Sequence, residues 1–154
     1  METLNRKCVG LALSGGIARG PAHVGVLAVL EEAGIPVDVV AGVSAGALVG
    51  ALYCAGWRAA QMLELITEIG WRHLAQPALS SEGFIHFEKL EHWLVAKIGD
   101  VQFSDLRLPF AVTATDLHTH EPVTFCAGRV APVVHASCAV PGFVEPVEIG
   151  EHRL

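Results

Sequence analysis

Val39-Val40-Ala41-Gly42-Val43-Ser44-Ala45-Gly46-Ala47-Leu48-Val49-Gly50-Ala51-Leu52 changes character at a single residue. Before Ser44 the run is rich in β-branched side chains, which suit a buried strand. After Ser44 it is rich in alanine and leucine, which suit a helix. Its centre, Gly42-Val43-Ser44-Ala45-Gly46, matches G-x-S-x-G. The pattern alone is common, but a strand entering it and a helix leaving it is the setting a nucleophile elbow requires. Such a turn holds the serine in a strained conformation, where neighbouring Cβ atoms clash, so Gly42 and Gly46 supply the room. The helix opening at Ala45 points its positive end at the serine oxygen. The alternative use of Ser44 is as the N-cap of a tight strand–helix turn.

The same region imitates a membrane span. No charged residue occurs from Val39 to Trp57, a length that can cross a bilayer. Four glycines and the switch at Ser44 argue instead for an interior strand followed by an interior helix.

Outward from the elbow, Lys7 to Leu13 reads as a buried strand closed by Ser14-Gly15-Gly16. Pro21 to Glu32 carries Val24, Leu27, Val29 and Leu30 at helical spacing. Pro21 suits its first turn, with Gly34 and Pro36 as the stop. Val37 to Val43 is a second strand, expected to be buried on both faces, and Ala45 to Ala55 a second helix. Helices are predicted at Arg58 to Glu68 and Phe87 to Lys97, flanking a less regular stretch around Pro77 to Gly83. Pro109 to Thr115 and Val123 to Cys126 read as partner strands joined by a polar turn. Val130 to Cys138 reads as a helix stopped by Pro141, before a short strand around Val147. Strand, helix, strand, helix in that order predicts an α/β fold, a parallel sheet with helices on both faces.

A second glycine-rich stretch, Ser14-Gly15-Gly16-Ile17-Ala18-Arg19-Gly20, joins the first strand to the first helix. Such a loop aims several backbone N–H groups at one point, to hold a phosphate or stabilise an oxyanion. A dinucleotide loop would want G-x-G-x-x-G and an acidic residue about twenty positions on. Ile17 occupies the second glycine position, although Asp38 lies near the acidic one. The elbow favours an oxyanion hole built from N–H groups of Gly15, Gly16 or Ile17 together with that of Ala45. Arg19 either offsets an anionic substrate group or anchors the loop to carbonyls.

Composition narrows the classes. The 154 residues are 52% hydrophobic and 17% charged, with mean hydropathy +0.48, which excludes disorder. Net charge is −6 and no Lys/Arg cluster is evident, so no nucleic-acid partner is expected. Cys8, Cys54, Cys126 and Cys138 form no C-x-x-C pair and sit among small or apolar neighbours. They read as reduced core thiols of a cytoplasmic protein. The N-terminus lacks the layout of a signal peptide. His23 and His135 read as packed histidines. His118 and His120 read as solvated loop residues, since two histidines without a third ligand make a weak metal spacing.

The stretch from Leu13 to Leu27 followed by Gly42 to Gly46 resembles the patatin-like phospholipases, and among them the bacterial branch related to neuropathy target esterase. Ala114-Thr115-Asp116-Leu117, Ala136-Ser137-Cys138-Ala139-Val140-Pro141-Gly142 and Glu145-Pro146-Val147 fit as well, so the resemblance runs nearly the length of residues 1–154. It implies a patatin-like acyl hydrolase fold and a Ser–Asp dyad in which Ser44 attacks a lipid or phospholipid ester and forms an acyl-enzyme. It implies no metal and no cofactor. Two departures stand out. The family has glycine where Ile17 stands. Its catalytic aspartate lies in a D-G-G or D-G-A motif, and residues 1–154 contain no D-G dipeptide. The expectation is therefore an incomplete N-terminal portion, with the base beyond Leu154 and Asp116 a structural residue. Such a portion is expected to be nearly inactive and prone to self-association. Peripheral contact with the inner membrane is expected through apolar residues of the irregular stretch, Phe84 and Ile85. Two readings of other classes compete: a phosphate- or nucleotide-binding module, and a catalytically dead lipid-binding remnant.

Overall fold

The computed structural model describes residues 6–68, 76–77 and 84–154. The predicted irregular stretch at Pro77 to Gly83 falls mostly outside them. A four-stranded sheet organises the chain. Its strands are β1 (Gly10–Leu13), β2 (Val39–Val43), β5 (Phe110–Thr115) and β6 (Pro122–Phe125), in that spatial order. β1, β2 and β5 run parallel, and β6 closes the edge antiparallel to β5. Two short hairpins, β3–β4 (Gln76–Pro77 with Ile85–His86) and β7–β8 (Glu148–Ile149 with His152–Arg153), lie outside the sheet.

Among the described residues the helices are α1 (Gly20–Glu32), α2 (Ala45–Cys54), α3 (Ala59–Glu68), α4 (Glu88–Ile98) and α5 (Val130–Cys138). Their starts and stops follow the expected chemistry. Pro21 sits in the first turn of α1, and Gly34 beyond its end takes φ 65°. Gly56 ends the α2 region at φ 103°. α2 packs on β1, β2 and β5, α5 packs on β5, and α1 lies against α2 and α3. The core between them holds Leu13, Val40, Val112, Ala47, Ala51 and Val134.

Three expectations need correction. β2 was expected to be buried on both faces, yet its side chains alternate: Val40 and Gly42 are buried while Val39, Ala41 and Val43 are exposed. Gly10 and Ala12 of β1 are exposed as well. The α/β class and the parallel sheet stand, but among the described residues α2 and α5 cover one face and the other is open. Strand alternation then puts every second residue in water. Only Cys54 and Cys138 are core thiols. Cys8 and Cys126 are exposed, because they lie just outside the ends of β1 and β6. Finally, the run from Val39 to Trp57 is interior only in part, since Val39 and Val43 are 38% and 42% exposed. Among the described residues no helix is long and apolar enough to cross a membrane.

Candidate active site

Ser44 occupies the single residue between β2 and α2. Its φ of 53° and ψ of −119° lie where non-glycine residues are rarely found. Packing enforces this turn. A Cβ on Gly46 would stand 2.2 Å from the Leu13 carbonyl oxygen, and one on Gly42 would stand 2.7 Å from the Ala47 Cα. Both glycines are therefore required by close approach of backbone to backbone. Ala45 opens α2, so its N–H is among those that find no partner within the helix.

The glycine-rich loop lies beside the elbow. A Cβ built on Gly15 would be 3.5 Å from the Ser44 Cβ, and one on Gly20 would be 3.5 Å from that of Ala45. From Gly16 the chain enters a 3₁₀ turn, Ile17–Arg19, that leads into α1. Ile17 takes φ 49°, the position where the resembled family has glycine. The Nε2–H of His23 donates to the Ser14 carbonyl at 2.8 Å and ties the loop to α1. His23 is half-buried and spent on this tether. Arg19 ends the 3₁₀ turn with its residue exposed.

From Ser44 a cavity of about 470 Å³ extends into the helical layer. Ala45, Leu48, Val49 and Leu52 line it along one face of α2, which gives it a length of roughly 12 Å from the serine. Met62 and Trp93 close it from α3 and α4. The lining is overwhelmingly apolar. At its rim Ile17 and Phe143 are each 63% exposed, and the neighbouring Phe84, 69% exposed, donates its N–H to the Phe143 carbonyl at 2.9 Å. Phe84 thus stands at the surface as expected. Ile85 instead is half-buried in the cavity wall, because β4 turns it inward. Phe143 was not anticipated, and only its place beyond a helix stop hinted at exposure.

α5 contributes two consecutive side chains. Ser44 N–H donates to Ser137 Oγ at 2.7 Å, and the Ser137 hydroxyl donates to the Thr113 carbonyl at 2.7 Å. Cys138 lies buried in the cavity wall next to the Ser44 side chain. Burial pushes its thiol up to about 12, and a hydrogen bond with Ser44 works weakly the other way. Cys138 is therefore a neutral wall, not a base, at ordinary pH.

The remaining candidates are committed elsewhere. Asp116 is buried, and its Oδ1 accepts the N–H groups of His118 and Thr119 at 2.8 and 3.2 Å. Its Oδ2 meets His152 Nδ1 at 2.7 Å. The His152 hydrogen bond, then the backbone donors, hold this carboxyl below the usual carboxylate range. It pins the turn after β5, as the structural reading expected. His135 is buried against Glu91 at 3.3 Å; burial lowers its pKa and Glu91 partly opposes that. His118 and His120 are both exposed in the turn, as solvated loop residues, His120 at φ 60°. Among the described residues no group of three or more metal-ligating side chains occurs. Asp38, the residue a dinucleotide would need, is paired with Arg6 and accepts the Val9 N–H at 2.7 Å. Those contacts hold it down to about 2.

The family model for patatin-like phospholipases matches residues 11–154, from β1 through the elbow to the last hairpin. This chain belongs to the patatin-like phospholipase family. An NTE-family protein of Mycobacterium tuberculosis is 35% identical over 148 residues, covering 95% of this chain and 41% of the relative. A lysophospholipase, nte1, of Aspergillus fumigatus is 33% identical over 147 residues, covering 92% of this chain and 10% of that protein. Among solved structures, ExoU of Pseudomonas aeruginosa in complex with SpcU superposes with a TM-score of 0.69 at 21% identity. That match covers 87% of this chain and 38% of the other, and shows a shared fold. The chain thus spans well under half of each of these proteins.

Proposed function

We propose that this patatin-like chain carries the nucleophile and the oxyanion-binding half of a serine lipid acyl hydrolase. One observation carries the reading: a serine held at positive φ on a strand–helix turn, beside a glycine loop, opening onto an apolar cavity of about 470 Å³. In this reading the acyl chain of a lipid or phospholipid ester lies along α2 with its carbonyl carbon over Ser44. At roughly 30 Å³ per methylene, close to a water's share of liquid volume, the cavity suits one acyl chain. Ser44 Oγ attacks the carbonyl carbon and loses its proton to a base. The carbonyl π bond opens to an oxyanion that accepts N–H groups of Ala45 and of the Gly15–Ile17 loop. Collapse of that intermediate breaks the bond to the leaving alcohol, which takes the proton, and water then releases the fatty acid by the same steps. The base is the aspartate of the family's D-G-G or D-G-A motif, supplied from outside residues 1–154. In this reading Arg19, exposed at the end of the loop, meets an anionic headgroup.

The exposed side chains of Ile17 and Phe143 at the rim, with Phe84 beside Phe143, support peripheral contact with a membrane surface, where apolar residues around a site mark an interaction face. The name of the fungal relative, a lysophospholipase, supports a lipid ester as the substrate class. A phosphate-binding module is disfavoured because the cavity behind the loop is apolar and Asp38 is already paired. A fluorophosphonate probe tests the reading on the full-length protein. Stoichiometric labelling at Ser44, blocked by long-chain lipid, is expected; intact protein with an unlabelled Ser44 removes it as nucleophile.

A further inference from the structure

We propose that Ser137 is a positioning residue for the nucleophile, a hydroxyl clasp that holds the elbow in its strained conformation. This rests on the reading of Ser44 as nucleophile. A serine hydroxyl has one hydrogen to give and lone pairs to receive. Ser137 gives its hydrogen to the Thr113 carbonyl at 2.7 Å, which fixes its rotor. Its lone pair then faces the Ser44 N–H, also at 2.7 Å. Both contacts are short and partly buried, so each is a well-formed bond in a medium less polar than water.

The Ser44 N–H needs such a partner. β2 ends at Val43, and α2 begins at Ala45, so neither element accepts this donor. A turn with φ 53° relaxes readily unless its surroundings hold it. Gly42 and Gly46 permit the turn by leaving space; Ser137 grips it from the opposite side. The clasp also sets the angle at which Ser44 projects toward the cavity, because φ is the rotation about the bond leaving the gripped nitrogen. The next residue, Cys138, stands beside the Ser44 side chain. The last turn of α5 therefore holds the nucleophile's backbone with one side chain and walls its hydroxyl with the next. Neither serves as acid or base.

The test uses the full-length protein with two variants, Ser137→Ala and Ser137→Thr. Each is followed by the rate of fluorophosphonate labelling at Ser44, kcat and KM on a nitrophenyl acyl ester, and thermal melting. Losing a hydrogen bond that positions a reacting group is expected to lower the labelling rate and kcat about tenfold in Ser137→Ala. KM should stay within about twofold, since the acyl cavity is untouched. Ser137→Thr keeps the hydroxyl and should recover most of the rate. Wild-type labelling and kcat in a folded Ser137→Ala overturn the proposal. So does an equal loss in Ser137→Ala and Ser137→Thr that tracks their melting, because that is a purely structural role. A wild-type protein that does not label at Ser44 fails the reading of the nucleophile itself, and the clasp with it.

Discussion

Ser44 and Ile17 both take positive φ at the mouth of the same cavity, at 53° and 49°, yet they are held there in opposite ways. Around Ser44 the turn is locked by sterics. The backbone of β1 and of α2 approaches so closely that Gly42 and Gly46 have no room for a methyl group, and Ser137 holds the remaining N–H. Around Ile17 there is space. Its residue is largely exposed, a Cβ on Gly15 would meet only ordinary contact at 3.5 Å, and the visible ties are the Arg19 N–H to the Gly16 carbonyl and the His23 tether. Strain in the elbow is enforced by its neighbours, while strain in the loop is a local choice of residue. The elbow is locked by its neighbours, and the glycine loop is packed more loosely.

The largest test of this contrast is chemical. Ser44→Ala is expected to lower esterase turnover of the full-length protein on the order of 10⁶-fold. Melting should hold within a few degrees, because alanine keeps the Cβ the turn already accommodates. More than a few per cent residual activity takes Ser44 out of the mechanism.

Next comes the steric lock. Gly46→Ala forces a methyl against the Leu13 carbonyl and should cost about 3 kcal/mol or more in stability, seen as a lower denaturant midpoint. Gly15→Ala, in the loop, should cost well under half as much. Equal costs would break the distinction between the two regions.

A smaller effect is expected at Ile17. Positive φ costs a β-branched residue about 1–2 kcal/mol, and glycine returns part of that as unfolded-chain entropy. Ile17→Gly should therefore leave stability unchanged or raise it by up to about 1 kcal/mol. A clear loss in chemical denaturation would show that the exposed side chain packs more than its surroundings suggest.

The mildest perturbation is pH. Asp116 has a folded pKa below its ordinary 3.8, so its contribution is complete above about pH 4 and is lost as pH falls below that. It braces the turn after β5, the strand whose Thr113 carbonyl orients Ser137, so acid should loosen the elbow's support. Melting temperatures at pH 6 and pH 3 should differ less in Asp116→Asn than in the wild type. An identical slope in both would detach this turn from acid stability.

The elbow was legible in the sequence because everything that makes it is local. β-branched residues, two glycines, a serine and an alanine-rich helix all lie within one short run. The glycine loop and the order of the first four elements were legible for the same reason. The open face of the sheet was not, since an apolar strand reads alike whether one side or two are covered. Cys8 and Cys126 look like core residues until the strand ends are placed. Ser137 carried no signal as a clasp. It stood in a segment matched by resemblance, and its function depends on a hydroxyl meeting an amide across the fold.

That meeting joins residues separated by 93 positions, and it puts a clock on the site. During synthesis at about 5–20 residues per second, β2 and the start of α2 are made several seconds before α5 exists. The nascent elbow has its glycines but not its clasp, and contacts of such long sequence separation form late and slowly. The elbow would thus gain its clasp only after α5, and with it most of the described cavity wall, has been translated.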